Sequence, residues 1–124
     1  MAKPGKKGFA RLFDALGYSW LGYKAGLKNE AAFRQECFIA LFLIPVAVIY
    51  AETAIELAML IASLLLVLIV ELLNSGIEAI VDRVSDEHHE LSGRAKDLGA
   101  AAVMTALINV LVIWSIIFVP KIIN

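Results

Sequence analysis

The sequence predicts an all-α membrane protein in which an N-terminal amphipathic surface helix precedes three transmembrane helices. Three observations carry that prediction. Apolar residues make up 60% of the 124 positions, and the mean hydropathy of +0.80 lies well above that of an ordinary soluble domain. The excess is gathered into three blocks free of charge, Cys37 to Tyr50, Leu57 to Val70 and Leu98 to Val119. Ahead of them, aromatic and aliphatic residues recur at helical spacing among basic ones.

Residues 1–7, MAKPGKK, read as a flexible basic tail broken by Pro4 and Gly5. Over residues 8–29 a surface helix is expected, because Phe9, Leu12, Phe13, Leu16, Trp20, Tyr23 and Leu27 fall on one stripe. Arg11, Asp14 and Tyr18 fall on the other side, with Lys24 and Lys28 on the flank. Such a helix lies in the membrane interface with its lysines toward anionic headgroups, or packs on the bundle. Either way Arg11 stays near the membrane surface.

The first two apolar blocks are 14 residues each, too short to cross a hydrocarbon core of about 30 Å without their polar flanks. Span one is therefore expected over 31–50, recruiting Arg34, Gln35 and Glu36, with Pro45 tolerated inside the bundle. Span two is expected over 57–81 and runs past Glu71 and Glu78. Span three, 98–119, is long enough alone, and Gly99, Ala100, Ala101, Ala102 and Ala106 near its start leave room for another helix.

Of 11 Lys and Arg, six precede span one and Arg34 stands at its entrance, three lie between spans two and three, and one follows span three. The positive-inside rule then puts the N-terminus and the 82–97 segment in the cytoplasm and the C-terminus outside. No cleavable leader is expected, since positions 1–30 are interrupted by charge. The basic residues are not clustered with base-stacking aromatics, which speaks against nucleic-acid binding. The lone Cys37 forms no internal disulfide and reads as a small packing residue.

Three clusters carry chemistry. At 100° per residue Glu71 and Glu78 fall about 20° apart on span two, with Asp82 about 20° to the other side, Ser75 on the same stripe and Asn74 flanking it. Glu71 lies about 10 Å deeper than Glu78. A carboxylate in hydrocarbon must face polar groups or a wet cleft. Asn and Glu can glue helices together, yet three acids on one stripe repel unless a cation is near. The second cluster, Glu30, Arg34 and Glu36, stands at the entrance to span one. Glu30 with Glu78 would suit Mg²⁺, which takes carboxylate oxygens and keeps waters and substrate phosphates, although a salt-bridge girdle has the same spacing. The third is DRVSDEHHELSGRAKD, residues 82–97, a short loop feeding span three. Adjacent His88 and His89 share no helix face, so zinc is not expected. Lys96 offers a point charge for phosphate. Neither standard phosphate-cradling loop is present.

The segments GYSW (17–20), NEAAFRQE (29–36), VELLNSGIEAIVDR (70–83) and HELSGRAKDLGAAAV (89–103) resemble the prokaryotic diacylglycerol kinase family of small membrane enzymes. That resemblance implies a homotrimer of three-span subunits in the bacterial inner membrane, with a surface helix on each. The implied reaction moves the γ-phosphoryl of MgATP to the hydroxyl of diacylglycerol, giving phosphatidate. By the same resemblance Glu71 is the general base, Asn74 a polar residue beside it, and Glu30 and Glu78 the metal carboxylates. Arg11, Tyr18, Glu87, His88, His89, Lys96 and Asp97 match nucleotide-contacting positions. Ser19, Trp20, Gln35 and Glu36 match the lining of the lipid site. Ala100 stands where the best-known members carry serine and so brings no hydroxyl to that lining.

Three spans per chain can hardly enclose a site, which also points to one built between subunits. Two other readings stay open at the level of sequence. The same chemistry on undecaprenol is one, as in a sister branch of the family. The other is a small non-enzymatic bundle, an ion pathway or assembly subunit, with Glu71 as relay or glue.

Overall fold

The computed structural model describes residues 5–124, and all of its regular structure is helical. Four helices follow one another: α1 (Phe9–Asn29), α2 (Ala31–Tyr50), α3 (Ala54–Val84) and α4 (Glu90–Ile123). Of the basic tail, residues 1–4, Lys3 among them, lie outside the described residues. Lys6 reaches forward to Asp14 at 2.9 Å, and that hydrogen bond raises the pKa of the ammonium.

Helix α1 stops because Glu30 turns extended (φ −110°, ψ 107°), and α2 begins at the very next residue. A one-residue elbow leaves the last carbonyls of α1 without helical partners. Arg34, one turn into α2, supplies them: its Nη1 donates to the carbonyls of Leu27 at 3.0 Å and Lys28 at 3.1 Å. The inside of the elbow is closed by Phe33, which is only 3% exposed. Gly26 faces it so closely that a Cβ there would lie 2.9 Å from the Phe33 ring and 3.2 Å from Leu72. Glycine at this point is a matter of space. Apart from Gly26, the residues of α1 are exposed or half-buried.

Helix α2 stays unbroken through Pro45 and, at 1.5 Å per residue, is about 30 Å long, one hydrocarbon core. A three-residue turn leads to Thr53, whose Oγ1 accepts from the Glu56 N–H at 3.1 Å while Glu56 Oε2 accepts from the Glu52 N–H at 2.8 Å. This reciprocal cap starts α3. Lys121, near the end of α4, sits 2.9 Å from Glu56, 3.0 Å from Glu52 and 3.3 Å from the Tyr50 carbonyl, so one ammonium ties together the ends of three helices.

Helix α3 is the centre of the bundle, packing on α2 at one side and α4 at the other. Its buried residues, Leu60, Ser63, Leu64, Val67, Glu71 and Asn74, recur at three- and four-residue steps. The core stripe therefore runs without a break from aliphatic to polar residues. Helices α2, α3 and α4 are each long and apolar enough to cross a membrane. Helices α3 and α4 measure about 46 Å and 51 Å by the same rise, well beyond the hydrocarbon core. The segment from Asp82 to Asp97, expected as a loop, is for that reason mostly helical: outside the helices lie only Ser85 to His89. Helix propagation continues past the apolar blocks because each added residue contributes its own hydrogen bond.

Candidate active site

Glu71 is 5% exposed and Asn74 9%, the two most buried members of the polar stripe. Asn74, one turn further along α3, donates its Nδ2–H to Glu78 Oε1 at 3.3 Å. Its Oδ1 is buried and without a hydrogen-bond partner among the described residues. That oxygen packs straight against Gly99 on α4, where a Cβ would collide with it. Asn74, a flanking residue by helical phase alone, thus bridges between Glu78 and the neighbouring helix.

The charges of Glu78 and Glu30 both bear on Glu71, and that of Glu71 bears on Glu36. Three carboxyl groups, from the α1–α2 elbow, α2 and α3, are therefore within electrostatic reach of Glu71. Glu36 Oε2 is itself buried and unpartnered among the described residues. It borders a small apolar pocket of about 80 Å³ between α2, α3 and α4. The acids do not close into a cage: among the described residues, no three His, Cys, Asp or Glu gather to hold a metal. Two carboxylates with open positions suit Mg²⁺, whose shell is commonly completed by water and phosphate. Uncompensated acids in an apolar bundle also favour a cation beside them.

Two hollows flank this stripe. The first, about 490 Å³, lies between α1 and α3 and is lined by Ser19, Tyr23, Gly26, Glu30, Leu72 and Ser75, among others. Ser19 turns its hydroxyl to the Ala15 carbonyl at 2.9 Å. The second, about 420 Å³, gathers Glu87, His88, His89, Lys96 and Asp97 with Asp82 and Ser85 around the α3–α4 turn. There His89 caps α4 by accepting from the Leu91 N–H at 3.1 Å through Nδ1, and Lys96 pairs with Asp82 at 2.6 Å. Within one chain the structure thus unites the residues singled out in 82–97, and brings Glu30 and Glu78 to bear on Glu71.

Other positions stand apart. Arg11 and Tyr18 are exposed on α1 and line neither hollow; Trp20 is exposed with Lys24 stacked over its ring at 5.5 Å. Gln35 and Ala100 are exposed too. Sequence reasoning missed two partnerships. Arg34 reads as one more ion in a girdle, whereas it caps α1; Gly99 reads as one of several small residues, whereas it seats Asn74. The first could have been sought from Glu30, the only position between two helical patterns. The second required the pairing of α3 with α4.

The family to which this geometry belongs is shown by comparison. Residues 17–118 match the model of the prokaryotic diacylglycerol kinase family, a stretch that holds the elbow, the α3 stripe and the α3–α4 turn. The diacylglycerol kinase of Escherichia coli (strain K12) is 52% identical over 110 residues, 89% of this chain and 90% of the relative. Those of Haemophilus influenzae and Pseudomonas aeruginosa are each 50% identical, over 107 residues (86% and 91% of the two chains) and 113 residues (91% and 92%). With a family match across every helix and half-identity to relatives of nearly equal length, the chain belongs to the prokaryotic diacylglycerol kinase family.

Proposed function

We propose that the protein is a Mg²⁺-dependent kinase of the bacterial inner membrane that transfers the γ-phosphoryl of ATP to the hydroxyl of 1,2-diacylglycerol, giving phosphatidate for lipid recycling. The observation that carries this reading is the buried Glu71 on one stripe with Asn74 and Glu78. Membership of the family, and the diacylglycerol kinases among its relatives, support the acceptor.

In the proposed reaction the acceptor oxygen bonds to the γ-phosphorus as the bond from that phosphorus to the β,γ-bridging oxygen breaks. Glu71 takes the proton of the attacking hydroxyl. Its depth suits an acceptor that arrives from the lipid, while nucleotide enters from the cytoplasm. Glu30 and Glu78 are the residues to hold Mg²⁺, which when bound would neutralise charge on the phosphates. Asn74 orients Glu78 through the hydrogen bond at 3.3 Å. Lys96 and Arg11 supply positive charge to the phosphates, and Tyr18, Glu87, His88, His89 and Asp97 contact the nucleotide. Ser19, Trp20, Gln35, Glu36 and Ala100 line the acceptor's approach.

The working unit is taken to be a homotrimer with sites between subunits. In its support, Arg11 and Tyr18 line neither hollow of the single chain. Helix α1 is assigned to the membrane surface, its exposed Phe9, Phe13, Leu16 and Trp20 toward lipid. The N-terminus and the α3–α4 turn face the cytoplasm and the C-terminus the outside.

The test is turnover of diacylglycerol by purified protein in mixed micelles with ATP and Mg²⁺. Phosphatidate is expected from the wild type, and a loss of about 10²-fold or more in Glu71→Gln. Undiminished activity in that variant would remove Glu71 from the chemistry.

A further inference from the structure

We infer that Gly99 is a positioning residue for the metal carboxylates: by leaving α4 bare opposite Asn74, it fixes that carboxamide and, through it, the Glu78 carboxylate. The inference rests on the reading of Glu78 as a metal ligand.

Gly99 and Ala106 are the buried residues of α4, and both are small. The positive φ values fall on Gly5 and Gly8, so Gly99 has an ordinary helical backbone that any residue could adopt. What Gly99 provides is space. A Cβ there would overlap Asn74 Oδ1 and come 3.2 Å from Asn74 Cγ, whereas Gly76 and Gly93 have nothing within 4 Å of theirs. The carboxamide cannot give way without disturbing a contact: it is 9% exposed, and its other end is engaged with Glu78 at 3.3 Å. Its Oδ1 accepts no hydrogen bond among the described residues. The oxygen end is therefore located by packing on Gly99 and the nitrogen end by Glu78. Adding a methyl group at position 99 rotates or lifts the carboxamide and breaks its hold on Glu78. Outer-shell groups that orient a ligating carboxylate commonly change metal affinity by about 10- to 100-fold.

The test uses the full-length protein in detergent as wild type, Gly99→Ala, Asn74→Ala and the double variant. Two readouts are taken: thermal stability, and affinity for Mn²⁺ measured by electron paramagnetic resonance with a non-hydrolysable ATP analogue. Gly99→Ala is expected to lower stability and to weaken Mn²⁺ binding about tenfold or more. On the Asn74→Ala background the same change should alter neither, because the atoms it strikes are gone. Equal losses in both backgrounds would overturn the inference, as would Mn²⁺ affinity unchanged in Gly99→Ala. If Gly99→Ala alone yields no folded protein, the double variant is expected to restore it, and failure to do so also overturns the inference. A wild type that binds no Mn²⁺ would fault the metal-site reading, while the stability comparison still decides whether Gly99 seats Asn74.

Discussion

Trp114 on α4 donates its indole N–H to the Ser63 hydroxyl on α3 at 3.2 Å, and Ser63 in turn donates to the Leu60 carbonyl at 2.7 Å. The indole also stacks on Phe118 with centroids 5.3 Å apart. Ser63 is 2% exposed, so no water stands ready to replace it. Ser63→Ala strands the indole donor and is expected to cost about 1–2 kcal/mol of stability. In Trp114→Phe, which keeps the stacking but has no donor, the same substitution should cost less than half as much. Unfolding in detergent of the wild type, the two single variants and the double variant measures both values, and equal costs would mean that the bond contributes nothing.

Gly26 and Gly17 make a contrasting pair on α1. A methyl group at Gly26 meets the Phe33 ring at 2.9 Å and Leu72 at 3.2 Å, but at Gly17 it meets nothing within 4 Å. Overpacking of this kind costs about 1–3 kcal/mol, while alanine for glycine in an open helix is favourable by up to about 1 kcal/mol. Gly26→Ala should therefore unfold earlier than the wild type and Gly17→Ala at the same point or later. The reverse order would mean that α1 does not fold back on Phe33 as described.

The three long helices were legible because charge-free blocks and helical spacing are properties of the chain alone. Their true ends were not: Glu90 to Asp97 are polar enough to pass for a loop, yet backbone hydrogen bonding carries α4 through them. In the site, helical phase put Glu71, Glu78 and Asp82 together because one helix holds all three. Phase alone left Asn74 at the edge, since its burial depends on Gly99 from another helix. Arg34 was likewise visible only as a charge, because its partners are backbone carbonyls that no side-chain pattern announces.

Lys96 Nζ lies 2.6 Å from Asp82 Oδ1 in the hollow at the α3–α4 turn. A phosphate arriving there would compete with Asp82 for the ammonium. Lys96→Met is expected to raise KM for ATP or lower kcat by about tenfold or more, as loss of a transition-state charge does. Asp82→Asn removes the competitor, keeps the shape, and should lower KM for ATP or leave it unchanged. Steady-state kinetics over ATP concentration measure both, and a weakening in Asp82→Asn as large as that in Lys96→Met would give Asp82 its own role in nucleotide binding.

The roles proposed for Glu30 and Glu78 differ from that of Glu71 in a way that Mg²⁺ titration separates. A metal ligand lost to an amide weakens the hold on the cation, so Glu30→Gln and Glu78→Gln should need about tenfold or more Mg²⁺ for half-maximal rate and recover in part at high Mg²⁺. A general base lost to an amide removes proton transfer at any metal concentration. Glu71→Gln should therefore lose about 10²- to 10⁴-fold in kcat with its Mg²⁺ requirement and KM for ATP little changed. Electrostatics alone could blur the difference, because the charges of Glu30 and Glu78 bear on Glu71 and each substitution lessens the local negative charge. That effect is common to all three variants, so it cannot produce opposite patterns. Saturation by Mg²⁺ that rescues Glu71→Gln, or fails to help both Glu30→Gln and Glu78→Gln, would exchange or cancel the assigned roles.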